Sequence, residues 1–171
     1  MLRWADVESV RDMSVSIHAT GISADVIKIL EAQGLVIKQN LDLEMPPFPK
    51  DITSVDDQEL MTLASKYMEN FNFMRTQVAC AALAEMEAET KYSTAEAKAF
   101  LNKTNGKSTE KATMLKSAVI TDPEIVELQQ AKMHAYAYRK MIETMQDNIE
   151  RNYSLVSREL TRRTSAMRNR F

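Results

Sequence analysis

Two long stretches of the chain carry apolar residues at every third or fourth position, and apart from Pro123 at the start of the second, neither contains glycine or proline. This spacing gathers apolar side chains on one face of an α-helix. The first stretch is predicted to be a helix from Ser54 to about Lys103, with Ser54 as N-cap and acidic residues in its first turn. Its stripe comprises Leu60, Leu63, Tyr67, Phe71, Met74, Val78, Ala81, Ala88, Tyr92, Ala95 and Ala99.

The second stretch extends from Asp122 to Phe171 and predicts one helix of roughly 45 residues at this apolar period. Asp122 is a suitable N-cap, Pro123 loses nothing at the first helical position, and Glu124 suits the positive end of the helix dipole. Its stripe comprises Ile125, Leu128, Ala131, Ala135, Tyr138, Ile142, Met145, Ile149, Val156, Leu160 and Met167.

The connection between the two stretches is short. Residues 102–108 contain Asn105-Gly106, a pair suited to a turn, and a short helix over 111–120, capped by Ser108 or Thr109, follows. Two long helices of similar length with a short connection favour an antiparallel hairpin. With only 3 Gly and 4 Pro in 171 residues, the predicted fold class is all-α: a coiled-coil-like two-helix hairpin with a small α+β N-terminal cap.

The predicted cap covers residues 1–49 and the hairpin covers residues 50–171. The boundary is the proline-rich segment Met45–Pro49, which forces extended backbone. Within the cap, a helix is predicted to begin at Ser23 and to end at Gly34, with strands at Val15–Ile17 and after Gly34. Helix, glycine and strand in this order also fit the helix-to-wing junction of a winged helix, although few helices precede it. The alternative is a small α+β unit that serves assembly.

Both long helices also carry apolar residues away from the main stripe. A thin two-helix hairpin buries little surface for its length, and helices in proteins are stabilised mostly by packing. A second apolar face therefore predicts a homo-oligomer. The residues concerned are Met61, Met68, Phe73 and Met86 on the first helix, and Met133, Tyr136, Met141 and Leu155 on the second.

Charge is distributed unevenly along the chain. The net charge is −2, yet residues 151–171 hold six arginines and one acidic residue, so they carry +5 and the first 150 residues carry −7. Guanidinium groups match phosphates bidentately, so this end is the candidate site for a polyanion or an acidic partner. A structural alternative is that the arginines only complement the helix dipole. The candidate nucleic-acid-binding residues are Arg158, Arg162, Arg163, Arg168 and Arg170, with Lys103, Lys107 and Lys111 as a second strip around the turn.

No constellation in the sequence indicates an enzyme, a metal site or a cofactor. The run Asn105–Thr109 (NGKST) ends like a phosphate-binding P-loop, but residue 101 is leucine where a glycine is required. Cys80 is the only cysteine, and its alanine-rich surroundings predict a small buried side chain in a reducing compartment. Neither a signal peptide nor a transmembrane helix is predicted.

The second half of the chain has a lysine-rich entry, the Asp122-Pro123-Glu124 helix start, heptad-like apolar spacing and an arginine near its end, within the run SRELTRR at 157–163. In this pattern it resembles phage recombination mediators of the UvsY type. Residues 46–74, with a proline entry and the helix start DDQELM, similarly resemble uncharacterised phage proteins. The resemblance covers about two-thirds of the chain and excludes residues 1–45.

This resemblance implies a non-enzymatic homo-oligomer that binds single-stranded DNA and helps to load a recombinase against a single-strand-binding protein. The arginines of SRELTRR and the lysines around the turn would contact the DNA, and the acidic body would suit the recombinase. The implied location is the host cytoplasm, with no membrane partner. The alternative is a structural virion or assembly protein that oligomerises through its hairpin and uses its basic tail for DNA or an acidic partner.

Overall fold

The computed structural model describes residues 15–35, 37, 40–41, 45–104 and 112–168, and within them the chain is mainly helical. The elements in chain order are β1 (Val15–Ser16), α1 (Ile22–Ala32), β2 (Asn40–Leu41), α2 (Asp57–Thr104), α3 (Ala112–Ile120) and α4 (Pro123–Arg168). The two long helices α2 and α4 pack together. The predicted all-α class and the two predicted long helices are therefore confirmed.

The start of α2 differs from the prediction. The helix begins at Asp57, and the Asp56 carboxylate accepts a hydrogen bond from the Glu59 backbone N–H at 2.7 Å. Asp56 is thus the N-cap, because its side chain satisfies an amide that has no partner inside the helix. The Ser54 hydroxyl instead donates to the Asp51 carbonyl at 2.9 Å, so the prediction of Ser54 as N-cap is wrong.

The start of α4 agrees with the prediction. Helix α4 begins at Pro123, and the Glu124 backbone N–H donates to the Asp122 carboxylate at 3.2 Å. The Asp122 carbonyl accepts the first helical hydrogen bond, from Val126 at 2.9 Å. Since proline has no N–H, the first helical position loses no hydrogen bond.

The contacts divide the chain into two compact units, and both long helices run through both units. The first unit comprises Met1–Ile17, Val36–Gln77 and Thr144–Phe171. Apart from Phe73, its buried apolar residues recur every seven positions, as Leu60, Tyr67 and Met74 on α2 and as Ile149 and Val156 on α4. A seven-residue repeat keeps one seam of each helix facing its partner, as in a coiled coil.

The proline-rich segment that precedes α2 is attached to this seam. The Tyr67 side chain is fully buried, and its hydroxyl donates to the carbonyl of Pro46, also a buried residue, at 3.1 Å. Burial of the phenol also raises the pKa of Tyr67.

The second unit comprises His18–Leu35 and Val78–Glu143. Here α2 and α4 are antiparallel, because ion pairs join residues that ascend α2 to residues that descend α4. Glu85 pairs with Arg139, and Glu89 pairs with Lys132 at 2.8 Å. The buried apolar side chains of this unit are Ile27, Cys80, Ala81, Leu115, Val119, Ile125 and Ile142.

Helix α1 is held on the second unit through its N-terminus. The Glu87 carboxylate of α2 accepts a hydrogen bond from the Ile22 backbone N–H at 2.6 Å. The preceding Gly21 has φ +56°, and a Cβ at this position would overlap the Glu87 carboxylate. At the other end, Gly34 has φ +83°, and the Leu35 N–H donates to the Leu30 carbonyl at 3.0 Å. This is a Schellman ending, which confirms Gly34 as the C′ glycine.

The strands predicted for the N-terminal α+β cap are represented, in the part of the chain that the structure describes, by one short pair. Strands β1 and β2 pair antiparallel, with Val15 opposite Leu41 and Ser16 opposite Asn40. Residues 1–14 and 42–44 lie outside the described residues. The α+β cap and the boundary at residue 49 therefore stay predictions.

The predicted second apolar face needs one correction. Phe73 is buried, with 4% exposure, because residues 73, 74, 77 and 80 all face inward and the buried face of α2 is wider than one stripe there. The other seven residues of that face are exposed: Met61, Met68, Met86, Met133, Tyr136, Met141 and Leu155. Oligomerisation through these side chains stays a prediction.

Candidate nucleic-acid interface

The structure places the candidate basic residues in three different situations. Four of the predicted arginines, Arg158, Arg162, Arg163 and Arg168, lie on the last turns of α4 in the first unit. Lys103 lies near the end of α2 in the second unit. Arg170, Lys107 and Lys111 lie outside the described residues.

Arg163 is bound almost entirely to protein oxygens. Its Nε donates to Glu159 at 2.7 Å, and its Nη1 donates to the Asp57 carboxylate and to the Val55 carbonyl, each at 2.7 Å. Its Nη2 donates to the carbonyls of Thr53 at 2.9 Å and Ile52 at 3.3 Å. A guanidinium has five N–H donors, so each has an acceptor. Arg163 therefore fixes the turn before α2 onto the end of α4.

The heptad pattern explains why Arg163 faces inward. Ile149 and Val156 are buried, and Arg163 follows them at the same seven-residue interval. Arg162 is one residue earlier and therefore about 100° away around the helix. The spacing of Arg158, Arg162 and Arg163 at i, i+4 and i+5 predicts three guanidiniums on one side of the helix. This prediction is wrong for Arg163, whose side chain is 16% exposed, against 62% for Arg162.

Glu159 neutralises part of the positive charge at this end. Its side chain is only 7% exposed, and it accepts two hydrogen bonds from Arg162, to its two oxygens, each at 2.7 Å. These bonds, together with the one from Arg163, lower the pKa of Glu159 to about 2. Glu159 is therefore ionised at neutral pH, and Arg162 reaches solvent while it remains paired with this carboxylate.

Three exposed arginines on this part of α4 make no hydrogen bond or ion pair with other described residues: Arg151, Arg158 and Arg168. Arg151 and Arg158 are seven residues apart, so they lie on nearly the same side of the helix, about 10.5 Å apart along its axis. Arg162 continues this side four residues later. The sequence-based selection omitted Arg151, although its spacing from Arg158 and Arg162 was sufficient to include it.

The surroundings of these arginines are not uniformly basic. Arg151, Arg158, Ser154 and Leu155 line a shallow groove of about 350 Å³ together with Asp147 and Glu150. The two carboxylates reduce the local positive potential, while Leu155 and Ser154 supply apolar and hydroxyl surface. The arrangement suits a ligand with spaced negative charges better than a single small anion.

Lys103, in the second unit, binds neighbouring parts of the fold. Its ammonium donates a hydrogen bond to the Ala118 carbonyl and forms an ion pair with Asp122 at 3.5 Å. It thereby joins the ends of α2 and α3 to the start of α4. Binding of DNA by Lys103 or by any predicted residue stays a prediction.

Among the described residues, no group of three or more His, Cys, Asp and Glu side chains could hold a metal ion. Cys80 is buried, and the burial raises the pKa of its thiol. Within the same described ranges, none of the helices has the length and apolar character needed to cross a membrane.

The fold and site together define a helical-hairpin protein with exposed arginines at the end of its last helix. Comparison with known protein families, with curated proteins and with solved structures gave no match.

Proposed function

We propose that this protein is a non-enzymatic phage recombination accessory protein of the mediator type. It binds single-stranded DNA through the exposed face of the end of α4 and helps to load a recombinase onto that DNA. The observation that carries the proposal is that Arg151, Arg158 and Arg168 are exposed and have no partner among the described residues. Such guanidiniums can exchange water for phosphate oxygens without breaking an existing ion pair.

The proposed DNA contacts divide according to the cost of freeing each arginine. Arg151, Arg158 and Arg168 have no partner to leave among the residues that the structure describes, so they are the primary contacts. Arg162 can reach a phosphate only while it shares its charge with Glu159. Arg163 is excluded as a primary contact, because a phosphate would have to replace five protein acceptors.

Titration of a fluorescent oligo-dT at several salt concentrations tests the proposal. For single strands, the logarithm of affinity falls with the logarithm of salt by about 0.7 for each phosphate contact. Three contacts therefore predict a slope of about −2, and the triple variant Arg151→Gln, Arg158→Gln and Arg168→Gln should flatten it.

The matched control for charge is Lys66→Gln, which removes an exposed positive charge from α2 in the same unit. This variant should bind oligo-dT like the unaltered protein. Equal affinity in the triple variant and the control would refute the arginine site, and absence of salt-dependent binding by the unaltered protein would refute the function.

The mediator role requires a second assay. A mediator should shorten the lag before a recombinase assembles on DNA covered by single-strand-binding protein, measured through DNA-dependent ATP hydrolysis. The triple variant should lose this effect. Acceleration without DNA binding would instead assign the effect to protein contacts.

A structural role in a virion or its assembly is the alternative. The observation that favours it is the set of exposed large apolar side chains on both long helices, among them Met61, Met86, Met133 and Met141 at 63–69% exposure. We propose that copies of the chain associate through such surfaces in either function. Light scattering measures the mass of the assembly, and co-purification with mature virions rather than with recombination proteins would favour the structural role.

A further inference from the structure

A groove in the second unit combines positive charge with an apolar floor. It has a volume of about 620 Å³ and lies between the latter part of α2 and the start of α4. Ala95 and Ala99 of α2 and Ile125 and Leu128 of α4 form its floor. Alanine side chains leave open space between the helices here, where larger residues would fill it.

Two exposed lysines lie on the rim of this groove. Lys91 and Lys98 are exposed and form no ion pair with other described residues. They are seven residues apart on α2, so their side chains leave the same side of the helix about 10.5 Å apart along its axis. Thr94 and Asn102, also on the rim, add a hydroxyl and an amide that can donate to an oxygen-rich ligand.

The charge balance of the groove favours a ligand with several negative charges. Asp122 lines it but is neutralised by Lys103 at 3.5 Å. Glu124 is the remaining carboxylate of the lining and opposes an anion. Lys91 and Lys98 together outweigh Glu124, so the lining carries one net positive charge.

We propose that this groove binds the phosphate backbone of a nucleic-acid single strand, with Lys91 and Lys98 each contacting one phosphate and the apolar floor receiving a base between them. Phosphates of one stacked strand rise about 3.4 Å per nucleotide, so the two lysines match phosphates about three nucleotides apart. The proposal rests on the proposed DNA-binding function and adds a second contact region that the arginine site does not include.

The first test is oligo-dT binding by the double variant Lys91→Gln, Lys98→Gln. Loss of two contacts should reduce the salt slope by about 1.4. If the two proteins bind equally at 1 M salt, the double variant should bind about 25-fold more weakly than the unaltered protein at 0.1 M salt. Glu124→Gln should strengthen binding, because it removes the opposing charge. Unchanged binding in both variants would overturn the groove while leaving the arginine site in place.

The second test does not depend on DNA binding elsewhere on the protein. Acetylation of lysines by acetic anhydride, read by mass spectrometry, reports which ammonium groups a ligand covers. Oligo-dT and inorganic tripolyphosphate, which has phosphates and no bases, should each protect Lys91 and Lys98 but leave Lys66 reactive.

The two probes separate failure of the groove from failure of the proposed function. Protection by both supports the inference, and protection by neither overturns it. If tripolyphosphate alone protects the lysines, the groove is an anion site and its assignment to a nucleic-acid strand is overturned. If oligo-dT protects only residues outside the groove, the proposed function stands and the groove assignment falls.

Discussion

Removal of one hydroxyl group, in Tyr67→Phe, tests how the segment before α2 is held. The ring stays in place, so the packing of a fully buried side chain is retained. The change removes the donor to the Pro46 carbonyl at 3.1 Å and leaves that carbonyl of a buried residue without this bond. An acceptor that loses its partner away from water costs about 1–3 kcal/mol in the free energy of unfolding.

The matched control is Tyr136→Phe. Tyr136 is 50% exposed, so water can replace whatever its hydroxyl contacts, and the change should stay within about 0.5 kcal/mol. For a chain of this size, 1 kcal/mol corresponds to about 2–4 °C in Tm, so Tyr67→Phe should melt measurably earlier and its control should not.

The measurement is urea unfolding followed by circular dichroism at several protein concentrations. The midpoint should fall for Tyr67→Phe with an unchanged m value, because the surface exposed on unfolding is the same. Equal midpoints for the two variants would refute the reasoning, since the Tyr67 hydroxyl would then contribute no more than a solvated one.

Three further predictions concern charge and backbone. The Glu159 pKa of about 2 lies below its ordinary 4.5, so its stabilising contribution is complete above pH 4.5 and is lost as the pH falls towards 2; Glu159→Gln should therefore flatten the unfolding free energy measured across this range. Arg163→Lys should lower Tm more than Arg162→Lys in thermal melts, because three ammonium donors cannot serve five acceptors, and equal shifts would contradict this. Both Gly21→Ala and Gly34→Ala place a side chain at positive φ, at about 1–2 kcal/mol each, but only the former displaces a carboxylate, so it should show the larger loss in urea unfolding; a larger loss at Gly34 would contradict the assigned contact.

The apolar period was sufficient to predict both long helices, because it reflects a requirement of the whole fold: each helix must bury one face along its length. The Schellman glycine and the Asp-Pro start were also predictable, since they depend on neighbours in the chain. The N-cap residue of α2 was not predictable in this way. Ser54 and Asp56 are equally suitable residue types, and the hydrogen bond from the Glu59 N–H to the Asp56 carboxylate decides between them.

The candidate site was less predictable, because residue type does not specify which side of the helix an arginine takes. Arg163 was predicted to share an exposed face with Arg158 and Arg162 from their i, i+4, i+5 spacing, whereas its register with Ile149 and Val156 places it at the contact with α2. A heptad count that includes charged residues would have identified it. Its five acceptors, however, come mostly from backbone carbonyls at residues 52–55, and no sequence pattern specifies their positions.

The arginines at the end of α4 show that one residue type has different roles within about five helical turns. If Arg163 left its five acceptors, the carboxylates of Asp57 and Glu159 and three backbone carbonyls would each lose a hydrogen bond. A phosphate therefore gains little by displacing these acceptors. A guanidinium that contacts only water loses hydration when it binds a phosphate, and counterions are released from the nucleic acid, which favours the complex. The proposed binding surface therefore depends on which arginines already bind protein acceptors. Arg163 is held by Glu159, Asp57 and three backbone carbonyls, and Arg162 is paired with Glu159. The positive charge proposed to meet a polyanion therefore lies on Arg151, Arg158 and Arg168, away from the seam that stabilises the hairpin.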